Sequence, residues 1–265
     1  MPDLDLRLAR RVAEAAADAA ASAIRPHFRR PLAVERKGDA SPVTEADRAA
    51  EHAMRQVLRE AFPEHGILGE EEGEERGGAR FLWVLDPIDG TKSFVTGRPT
   101  YASLIALLDD GVPVLGLLSQ PSLGERWIGL SGEPTRFFSP VGGPAVARCR
   151  ACNDLAEAQL SLTTLDLFTP EERPRWEGLA ARVGQITWGG DAYAHGLLAL
   201  GFIDLIAEAT YKIWDWAALV PIIEGAGGMI TDWAGRPLRP GADGTVLAAG
   251  DARLHAAALA VLRGG

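Results

Sequence analysis

The chain has 265 residues, a formal net charge of -9 and 47% hydrophobic residues. That length supports a large buried core, as one sizeable domain or two fused layered halves. The acidic balance argues against nucleic acid as a partner, because phosphate backbones attract basic patches. It does not exclude a small anionic substrate, since a bound divalent cation reverses the local field.

The N-terminal Met1-Pro2-Asp3-Leu4-Asp5 lacks the basic and apolar stretches of a signal peptide. No apolar run approaches a membrane span, and Ala15 to Ile24 is broken by Asp18. A soluble cytoplasmic protein with no membrane partner is expected. Leu4, Leu8, Val12, Ala16, Ala19, Ile24 and Phe28 recur at helical spacing, which predicts a helix over 4–29 that Pro26 kinks or ends early. A second helix is predicted from Thr44 to Phe62, with Ser41 or Thr44 as N-cap and Pro63 as its stop. Phe81 to Leu85 reads as a buried strand leading into Asp86. Ala102–Leu108, Val112–Ser119 and Arg126–Leu130 resemble an antiparallel meander, followed by a hairpin and crossover within 132–151.

Beyond residue 156 the pattern changes. Strands are predicted at Leu160–Thr164, Phe202–Ile206, Met229–Thr231 and Val246–Gly250. Helices are predicted at Pro170–Val183, Ala192–Leu200, Trp216–Ala226 and Ala252–Leu262. The whole reads as layered α+β, with an N-terminal half (1–150) and a C-terminal half (151–265) forming one compact unit. Cys149 and Cys152 form a lone Cys-x-x-Cys without a second pair or a thioredoxin-like context, and read as reduced thiols. The five histidines are scattered and suggest no ligand set.

Four acidic elements stand out: Asp47, Glu70 with Glu71, Asp86 with Asp89, and Asp215. An acid at the end of an apolar strand is poorly placed to pack and well placed to line a cleft. In Asp86-Pro87-Ile88-Asp89-Gly90-Thr91, Pro87 fixes one dihedral and Gly90 permits a sharp turn. Such a turn can aim two carboxylates and the Ile88 carbonyl at one point, a hard-oxygen set that suits magnesium. Thr91 can then open a helix whose free amides receive a phosphate oxygen. The bland alternatives are a capped turn at Asp86–Thr91 and ordinary helix capping at Asp215 and Asp191. Glu72, Glu74 and Glu75 read as a solvated loop, and Asp109, Asp110 and Asp232 as turn acids.

These segments together resemble the inositol-monophosphatase superfamily. The motifs are Trp83 to Phe94, then Trp214-Asp215-Trp216-Ala217-Ala218 with Glu224 to Gly228, preceded in order by Thr44-Glu45-Ala46-Asp47 and Gly69-Glu70-Glu71. The resemblance covers nearly the whole chain and implies the layered αβαβα sugar-phosphatase fold. It implies a magnesium-dependent phosphomonoesterase with two or three ions, held by Glu70, Asp86, Asp89, Asp215 and the Ile88 carbonyl, with Asp86 bridging. Thr91 and Asp47 would orient the attacking water, and Glu70 would hold the ion that activates it. The Gly90 and Thr91 amides would bind phosphate. A homodimer is also implied.

Three further stretches, Gly97–Leu108, Gln120–Trp127 and Gly189–Tyr193, resemble the histidinol-phosphate phosphatase branch, as do the block from Gly201 to Gly228, Thr231–Trp233 and Gly235–Leu238. On that resemblance Gly190, Asp191, Glu208 and Asp215 contact the substrate, with Asp191 attracting its ammonium. At Thr210-Tyr211-Lys212-Ile213 the chain departs from the Gly-Leu-Lys-Pro pattern of that branch. An inositol monophosphatase, a broad sugar or nucleotide phosphatase, and a non-catalytic metal-binding relative are the alternatives.

Overall fold

The computed structural model describes residues 4–31, 33–36 and 42–264. Ser41, one of the two expected N-caps, lies outside the described residues. Helix α1 (Leu6–Ile24) is capped by Asp5 and ends just before Pro26. Strands β1 (Val34–Arg36) and β2 (Pro42–Thr44) form a small antiparallel pair. Helix α2 (Glu45–Ala61) starts with a capping box: Thr44 caps the helix, and the Asp47 carboxylate accepts from the Thr44 amide.

The large sheet comprises β3 (Gly66–Gly69), β4 (Gly73–Glu75), β5 (Phe81–Asp89), β6 (Ala102–Asp109), β7 (Val112–Gln120), β8 (Glu125–Leu130), β9 (Arg136–Ser139) and β10 (Gly143–Val146), ordered β10-β9-β8-β7-β6-β5-β3-β4. All its pairings are antiparallel except β3 with β5. The short helix α3 (Thr91–Val95) follows β5 directly. The small sheet comprises β11 (Gln159–Leu162), β12 (Gln185–Trp188), β13 (Leu205–Glu208), β14 (Met229–Thr231) and β15 (Val246–Ala249), ordered β12-β11-β13-β15-β14. Helices α4 (Glu172–Ala180), α5 (Asp191–Ala199), α6 (Ile213–Trp216), α7 (Leu219–Gly225) and α8 (Ala252–Leu262) complete the chain.

Three apolar clusters define the layers. The first joins α1 and α2 to one face of the large sheet, through Ala13, Met54, Trp83, Leu85 and Leu107. The second lies between the sheets, where Val84, Leu104, Trp127, Leu198, Ile222 and Ala248 meet around α5, α6 and α7. The third packs α4 and α8 on the outer face of the small sheet, through Leu160, Trp176, Leu205 and Leu254. The order helix, sheet, helix, sheet, helix is a layered αβαβα fold. It explains why β5 is buried on both faces: Trp83 and Leu85 serve one core and Val84 the other.

Several sequence expectations change here. Strand β5 does not stop at Leu85. It continues to Asp89 through an irregularity in its pairing with β6, so that Asp86 faces Leu104 and Asp89 faces Ala102. The expected helix over Trp216–Ala226 is two helices, α6 and α7. The strand expected at Phe202–Ile206 lies at Leu205–Glu208, because Gly201 takes a left-handed turn and Phe202 is exposed. Strands β4 and β12 were not anticipated; both are short strands at sheet edges, where periodicity carries little signal. Cys149 and Cys152 are both free, as expected. No described helix is long and apolar enough to cross a membrane.

Candidate metal and substrate site

The irregular end of β5 does the main positioning. An extra-residue kink in an antiparallel pair re-aims the side chains beside it. Asp86 and Asp89 come from either side of that kink, and Asp215 comes from α6 in the layer between the sheets. Their carboxylate oxygens lie within 4.8 Å of one another. Asp215 is the third residue of α6 and not its N-cap: its Oδ2 accepts from the Lys212 amide at 2.6 Å, which turns the carboxylate at the helix entrance.

Asp86 is almost fully buried, and its Oδ1 has no hydrogen-bond partner. Burial holds its carboxyl well above the usual range, and the charges of Glu70, Asp89, Asp215 and Asp47 push it further. Asp89 is raised for the same reasons, first burial and then Asp191 and Asp215. A buried oxygen without a donor among gathered like charges is what a cation relieves. The all-oxygen donor set fits a hard divalent ion. Glu70 lines the same cleft but lies outside the tight trio of oxygens. Its charge is the largest of the neighbouring charges acting on Asp86.

The cleft has a volume of about 240 Å³, and its floor is formed by Asp86, Ile88, Asp89, Gly90 and Thr91. Thr91 Oγ1 lies 3.1 Å from the Ile88 carbonyl and 3.4 Å from Asp47 Oδ1, so its one proton can serve either. Asp47 is buried behind Thr91, and burial raises its carboxyl despite the hydroxyl and amide of Thr44 on its Oδ2. Lys92 is the one basic residue among the described residues lining the cleft.

The second half of the chain also lines the cleft, through Thr163, Thr164, Leu167, Asp191, Thr210 and Tyr211. Asp191 is 8% exposed and is held by two hydroxyls on Oδ2, Ser93 at 2.6 Å and Thr100 at 2.9 Å. It opens α5 with φ +47, a strained value for a residue other than glycine. Gly190, and not Asp191, is the N-cap, and it does not line the cleft. Gly90 is required beneath Asp191: its φ is +78, and a Cβ there would lie 2.7 Å from Asp191 Cγ. The next amide of α5, that of Ala192, donates to Asp89 Oδ2 at 2.5 Å. One helix start therefore orients both a carboxylate of the trio and the acid beside it.

Glu208 is not a surface acid. It ends β13, is buried behind Thr163, and accepts the Thr163 amide at 2.7 Å through Oε1 while Oε2 has no partner. Burial pushes its carboxyl up to about 8. Tyr211, which stands where the branch pattern has leucine, lines the cleft and packs against the fully buried ring of His195 at 6.0 Å between ring centroids. The solvated loop expected at Glu72–Glu75 is also corrected. Glu72 and Glu75 pair with Arg55, and Glu75 with Arg59. Sequence reading passed over Glu51, Arg55, Ser93 and Thr100. The four-residue spacing of Asp47, Glu51 and Arg55 on α2 was the available signal for the first two.

Known proteins of the same architecture give this geometry a lineage. The inositol monophosphatase family model matches residues 5–264. The chain is 43% identical over 268 residues to the chloroplastic bifunctional phosphatase IMPL2 of Arabidopsis thaliana, covering 98% of this chain and 76% of that one. It is 41% identical over 207 residues to the histidinol-phosphatase of Mycobacterium tuberculosis, covering 77% and 79% of the two chains. A solved inositol monophosphatase from Zymomonas mobilis superposes with a TM-score of 0.86 at 47% identity, covering 98% of this chain and 97% of that one. The chain is thus a phosphoric monoester hydrolase and belongs to the inositol monophosphatase family.

Proposed function

We propose that the protein hydrolyses L-histidinol phosphate to L-histidinol and phosphate in histidine biosynthesis, with two or three magnesium ions per site. The observation that carries the substrate is the part of the cleft lining beside the carboxylate trio that comes from the second half of the chain. It presents Asp191, locked by Ser93 and Thr100, beside Tyr211, with the half-satisfied Glu208 behind Thr163. An acidic and aromatic wall suits a leaving group carrying an ammonium and an imidazole better than a ring of hydroxyls. The names of relatives in Mycobacterium tuberculosis and Streptomyces coelicolor, both histidinol-phosphatases, support the same substrate.

Position supports these roles. Asp86, Asp89, Asp215, Glu70 and the Ile88 carbonyl would hold the ions. When bound, magnesium acidifies an attacking water and offsets the charge on the phosphoryl oxygens. Asp47 and Thr91 orient that water, since the Thr91 hydroxyl lies between Asp47 and the Ile88 carbonyl. The Gly90 and Thr91 amides at the start of α3 receive a phosphate oxygen. Asp191 draws the substrate ammonium, and Glu208 adds an acceptor behind it. Asp215, which lines the same cleft as Asp191, would contact both ion and substrate.

A second reading, an inositol monophosphatase, is favoured by one observation. The solved relative from Zymomonas mobilis carries that name and is 47% identical, above the identity to either named histidinol-phosphatase. Purified protein with magnesium, assayed for phosphate release from histidinol phosphate and from inositol 1-phosphate, separates the two. The first ester is expected to turn over far faster. Equal or reversed rates would overturn the substrate and leave the metal site standing.

A further inference from the structure

Helix α2 carries Asp47, Glu51 and Arg55 at four-residue spacing, which puts them on one face. Asp47 lies behind Thr91, which lines the cleft. Glu51 and Arg55 are 0% and 1% exposed and lie beneath the loop that bears Glu70. Glu51 Oε2 accepts from the Glu71 amide at 2.7 Å, and Oε1 from the Glu72 amide at 3.0 Å and from Arg55 Nε at 2.9 Å. Arg55 Nη2 donates in turn to the Gly73 carbonyl at 2.5 Å. On the other side of Glu70, a Cβ on Gly69 would fall 2.0 Å from Glu51 Oε1.

Glu51 thus grips the chain on both sides of Glu70. It packs against the α-carbon before it and binds the two amides after it. The strand pairing adds a third restraint, because the Glu70 amide donates to the Leu85 carbonyl of β5, one residue before Asp86. A fully buried acid–base pair is a poor source of stability, since desolvation offsets its attraction. What it supplies here is a fixed loop, with the Glu70 carboxylate launched from a backbone that cannot relax.

We infer that Glu51, with Arg55 as its counter-ion, is a positioning residue that aims Glu70 and so sets the affinity of the ion Glu70 holds. The inference rests on the proposed metal reading. A carboxylate is needed because three donors converge on its two oxygens. Glutamine keeps one carbonyl oxygen and turns an NH2 group toward a donor.

The test is calorimetric binding of magnesium and manganese to metal-stripped wild type, E51Q, E70Q and the double variant, beside kcat and KM at saturating metal. E51Q is expected to weaken ion binding about tenfold or more, the size seen when an outer partner of a ligand is lost. The ester KM at saturating metal should not change. The double variant should bind no more weakly than E70Q alone, because Glu51 acts only through Glu70. Wild-type ion affinity in E51Q, or additive losses in the double variant, would overturn the inference. If E70Q itself binds ions normally, the metal reading fails and takes this with it. Should E51Q not fold, E51D keeps the charge but draws back by one methylene. The same loss is then expected, and unchanged affinity would be equally fatal.

Discussion

Replacing Ser93 with alanine isolates the hold on Asp191. Ser93 is buried and donates to Asp191 Oδ2 at 2.6 Å, alongside Thr100 at 2.9 Å. Burial raises the Asp191 carboxyl, and these two hydroxyls are the largest effects lowering it. A hydrogen bond to a charged group contributes about 1.5–3 kcal/mol. Losing one of the two lets the carboxyl take up a proton more readily and frees its geometry. If that whole contribution is felt by a substrate ammonium, KM for histidinol phosphate rises about ten- to hundredfold. The sign with pH is fixed. Asp191 in the variant titrates higher than in wild type, so the defect is largest at low pH and shrinks as pH rises through the variant's value. The assay is steady-state kinetics on histidinol phosphate and on an uncharged polyol phosphate across pH, with thermal melting as the control for folding. An equal rise in KM for both esters, or none for the cationic one, would refute the reasoning.

Two further outcomes follow from the buried acids. Asp86→Asn should abolish turnover while raising the melting temperature of the protein in a chelator, because one of several mutually repelling carboxyls is neutralised. Retained turnover, or a lower melting temperature without metal, would contradict the assignment of Asp86. Glu208→Gln bears on stability against pH in the metal-free protein. The folded carboxyl titrates near 8 against an ordinary 4.5, so its stabilising proton is fully present below the ordinary value and lost as pH rises through the folded one. The wild type should therefore lose stability across that window more steeply than the variant. Parallel melting curves against pH would show that Glu208 is not held in its neutral form.

The carboxylate motif was legible because acids interrupt apolar runs at strand ends, and strand ends in layered folds line clefts. The layered class was legible from the change in pattern near residue 156, and most long periodic elements lie near their expected bounds. What escaped has a common cause. The kink in β5 depends on pairing with β6, which leaves no local trace beyond Pro87. Glu208 looked like an acid after a strand because the strand begins three residues later than the apolar run suggests. Ser93 and Thr100 acquire meaning only when α5 delivers Asp191 from about a hundred residues further along the chain. Edge strands β4 and β12 owe their conformation to neighbours more than to their own residues.

The trio Asp86, Asp89 and Asp215 has a consequence for the chain as a polymer. Its members come from distant stretches of sequence, the end of a strand in one sheet and a helix leading toward the other. On the proposed metal reading, an ion shared among them would close a very long loop, as a disulfide does, but reversibly. Its contribution is set by supply: each tenfold rise in free ion above the dissociation constant adds about 1.4 kcal/mol to the folded state. On that reading the site would be a tunable cross-link as well as a reaction centre, and the carboxylates that repel one another in a chelator would tie the end of β5 to α6 when the divalent ion is plentiful.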